Sequence, residues 1–302
     1  MARLAWEDLP TTVRDSVQSK FGQVVKAETA DGGIMPGVAA RLHLDGGSSL
    51  FLKAIAEDHP AAFLHQRQEW AGHVLPAETP TPRMLWSSRT GGWIALVHEY
   101  VNDGARPADL TPGSPDLPAV QALLLRLTQA LTPCPAVDAP LIGDNLALLH
   151  AKGKLMLGKH SHRLAAADQV LYETALAGFD PGALSGDTLI HYDLHGENIL
   201  IHRDGAQVID WSFAARAASW VDAALLAPRL IESSHSPAQV EEFVAGVPTW
   251  RDAPPAAVRG LAALWTLFRI YKAAFGPPEA RAFRARAADA GRVWTRHCLD
   301  GR

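Results

Sequence analysis

The chain has 302 residues, with 28 Lys and Arg against 32 Asp and Glu, and its net charge of −4 argues for neither a nucleic-acid nor a membrane partner. Two cysteines cannot build a disulfide framework, so a reducing cytoplasm is the expected setting. No targeting pattern, long uncharged apolar run or internal repeat is evident, and the length suffices for two lobes with their own cores.

Residues 24–56 carry three strand-like runs, VVKAETA, VAARLHLD and LFLKAIA, the last two joined by Gly46-Gly47-Ser48 as a hairpin. Between the first two lies DGGIMPG, residues 31–37, whose glycines, Gly33 among them, let a backbone approach a phosphate closely. Glycine-rich hairpins without a ligand share that composition, and the spacing is not G-x-G-x-x-G. Lys53 stands in mid-strand between Leu52 and Ala54, where an ammonium group is costly unless it has a partner. A helix is predicted over Pro60–Leu75, with proline in its first turn and Phe63, Arg67, Trp70 and Val74 tracing one face. Glu69 lies beside that stripe and is the expected partner of Lys53; a solvated surface carboxylate is the plainer reading.

Residues 93–101, WIALVHEYV, predict a buried strand that runs into Asn102-Asp103-Gly104. The Pro-, Gly- and Asp-rich stretch 102–115 marks the boundary between a first lobe, 1–101, and a second, 102–302, with a cleft between them. Beyond it helices are predicted over Ala119–Leu131, Asp144–His150, Arg163–Ala177, Ser219–Ile231, Ala238–Ala245, Pro255–Ala274 and Pro278–Cys298. Small strands at 188–211 interrupt them, an α+β arrangement.

The most specific stretch is residues 189–213, LIHYDLHGENILIHRDGAQVIDWSF. His191, Asp193, Leu194 and Asn198 fit the H-x-D-L-x-x-x-N spacing of a kinase catalytic loop. HRDG, from His202 to Gly205, predicts a turn between strands Asn198–His202 and Gln207–Ile209, a hairpin that carries Asn198 and Asp210 to the same end. There an amide oxygen and a carboxylate could share a Mg²⁺ ion, while Asp193 orients an acceptor hydroxyl and takes its proton. Caps and turns also use His, Asp and Asn. The alternation of His191, Asp193 and His195 suggests zinc, which needs three or four N or S donors, yet Cys134 and Cys298 lie far away in sequence.

On these motifs, from about Gly32 to the 220s, the chain resembles the aminoglycoside phosphotransferase family within the wider protein-kinase-like fold. The resemblance implies a two-lobed α+β architecture with a small β-rich N-lobe and a larger, mainly helical C-lobe. It implies that Lys53 contacts the α/β-phosphates, that Glu69 pairs with it, and that Gly33 covers the phosphates. Backbone groups of Glu99 and Val101 would then hold the adenine, and Asn198 and Asp210 the metal. Asp193 is the implied base, His195 a contact to phosphate or substrate or else a structural residue, and Asp222, in ARAASWVDAALL, a structural brace. The expected reaction moves the γ-phosphoryl of ATP, or alternatively GTP, to a hydroxyl of a small molecule such as an aminoglycoside-like antibiotic or a sugar, with Mg²⁺. A Ser/Thr peptide acceptor is the second reading, and a non-catalytic nucleotide-binding module the third. Trp211-Ser212 follow Asp210, no A-P-E follows, and about ten residues lead to the next helix, which leaves no room for a long activation segment.

The acceptor is less legible. Carboxylates suited to polycationic acceptors are sparse: Glu232, Glu241, Glu242 and Asp252. The last helix is basic, with Arg281, Arg284, Arg286 and Arg292, and Trp250 and Trp265 suit either a core or a sugar-stacking role. Residues 152–163, KGKLMLGKHSHR, read as a solvated face or as a basic clamp for an anionic substrate or acidic peptide.

Overall fold

The computed structural model describes residues 4–30, 36–102 and 104–301. In chain order these form α1 (Thr11–Phe21), β1 (Val24–Thr29), β2 (Val38–Leu44), β3 (Ser49–Ala56), α2 (Ala62–Val74), β4 (Met84–Thr90), β5 (Trp93–Glu99) and β6 (Arg106–Pro107). There follow α3 (Leu117–Leu131), α4 (Ile142–Leu157), α5 (Ala166–Leu176), β7 (Thr188–Ile190), β8 (Ile199–His202), β9 (Gly205–Val208) and β10 (Ala215–Ala217). The chain finishes with α6 (Val221–Glu232), α7 (Pro237–Ala245), α8 (Pro255–Phe275) and α9 (Pro278–Gly301). The fold is α+β, and it divides into two compact units, 1–107 with 197–214, and 108–196 with 215–302.

In the first unit an antiparallel sheet runs in the order β1-β2-β3-β5-β4. Alternation along the central strands sends side chains to both faces. Leu42, Leu52 and Val97 join Val13 and Val17 of α1 in one core, while Ile55, Ile94 and Leu96 pack with Ala62 at the start of α2. Lys53, two residues before Ile55, shares the face that α2 covers. Neither α1 nor β4 was among the sequence expectations. The α1 stripe is only Val13, Val17 and Phe21, too narrow to stand out, and β4 has the polar core SSR, which reads as loop.

The strands β6, β8 and β9 form a separate small sheet. Splitting the sequence at 101/102 leaves the β8–β9 hairpin in the second lobe, but non-local hydrogen bonds tie it to the first unit. Val208 N–H donates to Pro80 O at 2.8 Å, Thr81 Oγ1 to Val208 O at 2.7 Å, Trp211 Nε1 to Thr81 Oγ1 at 3.0 Å, and Arg67 to Ala214 O at 2.9 Å.

In the second unit α8 packs against α4, α5, α6 and α9, around a core that includes Met156, Tyr172, Ala263 and Leu267. Strands β7 and β10 pair antiparallel just before and after the hairpin excursion. The predicted helix Asp144–His150 extends through Leu157, so the basic run at 152–163 begins inside α4. Among the described residues no helix is long and apolar enough to cross a membrane.

Candidate active site

In the first unit the structure brings Lys53 and Asp210 together across a long sequence separation. The Lys53 ammonium lies 3.3 Å from Asp210 Oδ2 and donates to Gln68 Oε1 at 3.2 Å. Asp210 Oδ1 accepts a hydrogen bond from Ser212 Oγ at 2.6 Å. Asp210 has φ = 69°, a left-handed conformation uncommon for a non-glycine residue, and such strain concentrates at functional sites.

Glu69, expected to pair with Lys53, instead meets Arg89 of β4 at 2.8 Å. The cause is the orientation of α2. Phe63, the head of the predicted apolar stripe, is 53% exposed, and the helix buries Ala62, Leu64, His65, Gln68 and Ala71. One residue of helix is about 100° of rotation, so the turn that puts Gln68 on Lys53 sends Glu69 to the flank. Burial, then the nearby Lys53 charge, pushes the His65 imidazole down to about 4, and the same causes take His98 to about 3. Both are uncharged near neutrality beside the Lys53–Asp210 pair.

Asn198 ends the short 3₁₀ turn Gly196–Asn198 just before β8. Its carbonyl accepts the Ile209 N–H at 2.9 Å, and Ile199 pairs with Val208, so Asn198 and Asp210 lie at one end of the hairpin. These donors suit a hard cation: a carboxylate and an amide oxygen leave room for waters and phosphate oxygens, as Mg²⁺ prefers. Among the described residues no group of three or more His, Cys, Asp or Glu side chains could hold a metal on its own, which is what zinc would need.

Glu99 closes β5. Its carboxylate takes Arg83, which outweighs the opposing effect of burial and holds it below the usual range, and its N–H donates to Arg83 O at 2.9 Å. Val101 follows, half-buried, outside any strand. Gly33 lies outside the described residues.

In the second unit the catalytic-loop motif leaves β7. Asp222, in the first turn of α6, accepts the N–H groups of His191 at 2.9 Å and Tyr192 at 2.8 Å. It braces the loop as the resemblance implied. Tyr192 has φ = 75°, so the backbone turns sharply just before Asp193. Asp193 lies 3.8 Å from the Arg229 guanidinium and 3.9 Å from His195 Nε2. Burial pushes His195 down to about 4, against the pull of the Asp193 charge, so His195 is a neutral imidazole near pH 7.

Gln68, Ser212, Arg229 and Arg269 have no place in the sequence expectations. Ser212 was visible only as a departure from the kinase pattern. Arg229 and Arg269 sit inside apolar helices, and a cation within such a run is a usable signal because burial must be compensated. Trp250 and Trp265 are both buried, at 4% and 6% exposure. The basic segment packs on α8: Lys152 lies 4.5 Å from the Tyr271 ring and Arg163 5.1 Å from Phe275.

The model of the phosphotransferase enzyme family (APH) matches residues 38–259. No curated protein matches the sequence. Among solved structures, the choline kinase from Streptococcus pneumoniae superposes with a TM-score of 0.64 at 15% identity, covering 93% of this chain and 97% of that one. A spectinomycin phosphotransferase, solved with ADP and spectinomycin, gives 0.61 at 10% identity, covering 99% of each chain. An amicoumacin kinase, solved with AMP-PNP, Ca²⁺ and its antibiotic, gives 0.57 at 13% identity and 92% of each. At these identities the likeness shows a shared fold. The family match spans well over half of the chain, from β2 through the catalytic loop into α8, and the chain therefore belongs to the phosphotransferase enzyme family.

Proposed function

We propose that this protein transfers the γ-phosphoryl group of ATP to a hydroxyl of a small molecule. The observation that carries the reading is the pair formed by Lys53 and Asp210, far apart in sequence and 3.3 Å apart in space. Phosphoryl transfer demands positioning and charge neutralisation more than covalent help from the protein. Lys53 is placed to bind phosphate oxygens, and Gln68 steadies its ammonium. The Glu99 carbonyl and Val101 N–H would hold the base, since the Glu99 N–H is already donated to Arg83. Mg²⁺ held by Asn198 and Asp210 would supply charge neutralisation at the phosphates.

Asp193 accepts the proton of the acceptor hydroxyl as that oxygen attacks the γ-phosphorus and ADP leaves. Arg229, 3.8 Å away, gives the Asp193 carboxylate a fixed cationic neighbour that orients it. His195, a neutral imidazole, can offer the acceptor or phosphate a hydrogen bond but no full charge. Spectinomycin, choline and amicoumacin kinases sharing the fold support a small-molecule acceptor, and the ADP and AMP-PNP bound in two of them support an adenine nucleotide, with GTP as the competitor to test. ADP release from Mg-ATP should fall by about 10²–10⁴ in Asp193→Asn. Unchanged turnover in that variant, with any accepted substrate, contradicts the assignment.

A further inference from the structure

The geometry points to an acceptor that carries a carboxylate or phosphate group a few bonds from its reacting hydroxyl, held by Arg229 and Arg269; this rests on the phosphotransfer reading above. The two arginines come from different helices, α6 and α8, and both lie on one indole. The guanidinium carbon of Arg229 is 5.1 Å from the Trp265 ring centre, and that of Arg269 is 4.6 Å. Arg229, 7% exposed, is bound by Glu232 at 3.0 Å and reaches Asp193 at 3.8 Å.

Arg269 has no such match. Among the described residues it makes no ion pair, and its Nε is buried without a hydrogen-bond partner. Burial first, then the Arg229 charge, pushes the guanidinium down to about 9 despite the opposing pull of Asp193 and Glu232. Arg269 is partly buried, and a guanidinium with a buried, unpartnered nitrogen is costly until an anion completes it. A guanidinium held over a tryptophan ring keeps its N–H donors for a carboxylate or phosphate, the bidentate recognition at which arginine excels. Because Arg229 contacts Asp193, an anion on this pair sits near the base, and the reacting hydroxyl belongs on the same small molecule.

The same arrangement disfavours a polycation or a quaternary amine. Glu232, one of the few acidic candidates for such an acceptor, is taken by Arg229, and Glu241 lies 3.6 Å from His297. Arg269 would repel a cation brought to Asp193.

The test compares wild type, Arg269→Met and Arg269→Lys. ADP release from Mg-ATP is measured with gluconate and glycerate, with glycerol 3-phosphate and glucose 6-phosphate, with glucose, and with kanamycin and choline. Thermal shifts by gluconate and by inorganic phosphate, in saturating Mg-ADP, are read in parallel. We expect turnover with an acid acceptor, the carboxylate and phosphate arms telling which acid. Arg269→Met should raise its KM by at least about tenfold with kcat much less affected, and lysine should restore part of the loss. Anion-dependent stabilisation should likewise be larger in wild type than in Arg269→Met. Turnover of kanamycin or choline that Arg269→Met leaves equal or improved overturns the inference, and so does an identical response of wild type and Arg269→Met to every anion. A wild type that takes up no Mg-nucleotide instead refutes the kinase reading, and the anion shifts, repeated without nucleotide, still decide whether the arginine pair binds acids.

Discussion

Lys53 shows how one residue can be legible while its partner is not. A lysine between Leu52 and Ala54 in a strand announces a buried ammonium with a purpose, and the structure gives it Asp210 and Gln68. Which side chain answers from α2 depends on a rotation of the helix that hydrophobic periodicity misreads. The buried face carries His65 and Gln68 because it looks onto charged groups, so the apolar stripe through Phe63 marks the wrong side. Gln68→Ala should therefore weaken Mg-ATP binding severalfold. Glu69→Ala removes only a partly exposed pair with Arg89, worth under about 1 kcal/mol, and should leave binding unchanged. Nucleotide titrations of the two variants decide between these faces, and the opposite ranking would restore Glu69 as the partner. His65 adds a pH dependence. Its folded value of about 4 lies below the unfolded 6.5, so the unfolded chain binds the extra proton between those limits. Stability is then full well above pH 6.5 and falls as the pH drops toward 4, by roughly 2–3 kcal/mol from this group by pH 4.5. Urea denaturation at pH 7 and 4.5 should show a smaller loss in His65→Gln than in wild type.

At the scale of elements, the loop after β7 and the β8–β9 hairpin were legible because their signals are local: a turn and the spacing of Asp193, Asn198 and Asp210 lie within one short stretch of chain. The hydrogen bonds that Pro80 O accepts and that Thr81 and Arg67 donate, which place the hairpin and its following loop in the first unit, span 127 residues or more and leave no mark in local sequence. Asp222 is the brace of the second unit. Asp222→Ala would strand two backbone N–H groups, one of them buried, at a cost of about 3 kcal/mol. It should lower kcat through a displaced Asp193 while the KM for nucleotide stays near wild type; a kcat that tracks wild type would show the brace to be purely a stability device. In the first unit Gly37 has φ = 94°, and a Cβ there would stand 2.3 Å from the Ala54 carbonyl oxygen. Gly37→Ala should cost about 1–3 kcal/mol, seen as a lower melting temperature.

For the whole molecule, motif and composition together placed a phosphotransferase of α+β build ahead of a non-catalytic module, and the family match agrees. Acceptor chemistry was the part least open to sequence reading. Isolated residues such as Arg229, Trp265 and Arg269 gain meaning only when two helices set them against one another. The most direct test of the central claim is ADP release from Mg-ATP across acids, sugars, aminoglycosides and Ser/Thr peptides, with Asp193→Asn as the blank. We predict release about 10²-fold or more above the blank with a small-molecule class. Release with peptides alone, or release equal in the two proteins throughout, would contradict a small-molecule kinase that uses Asp193 as its base.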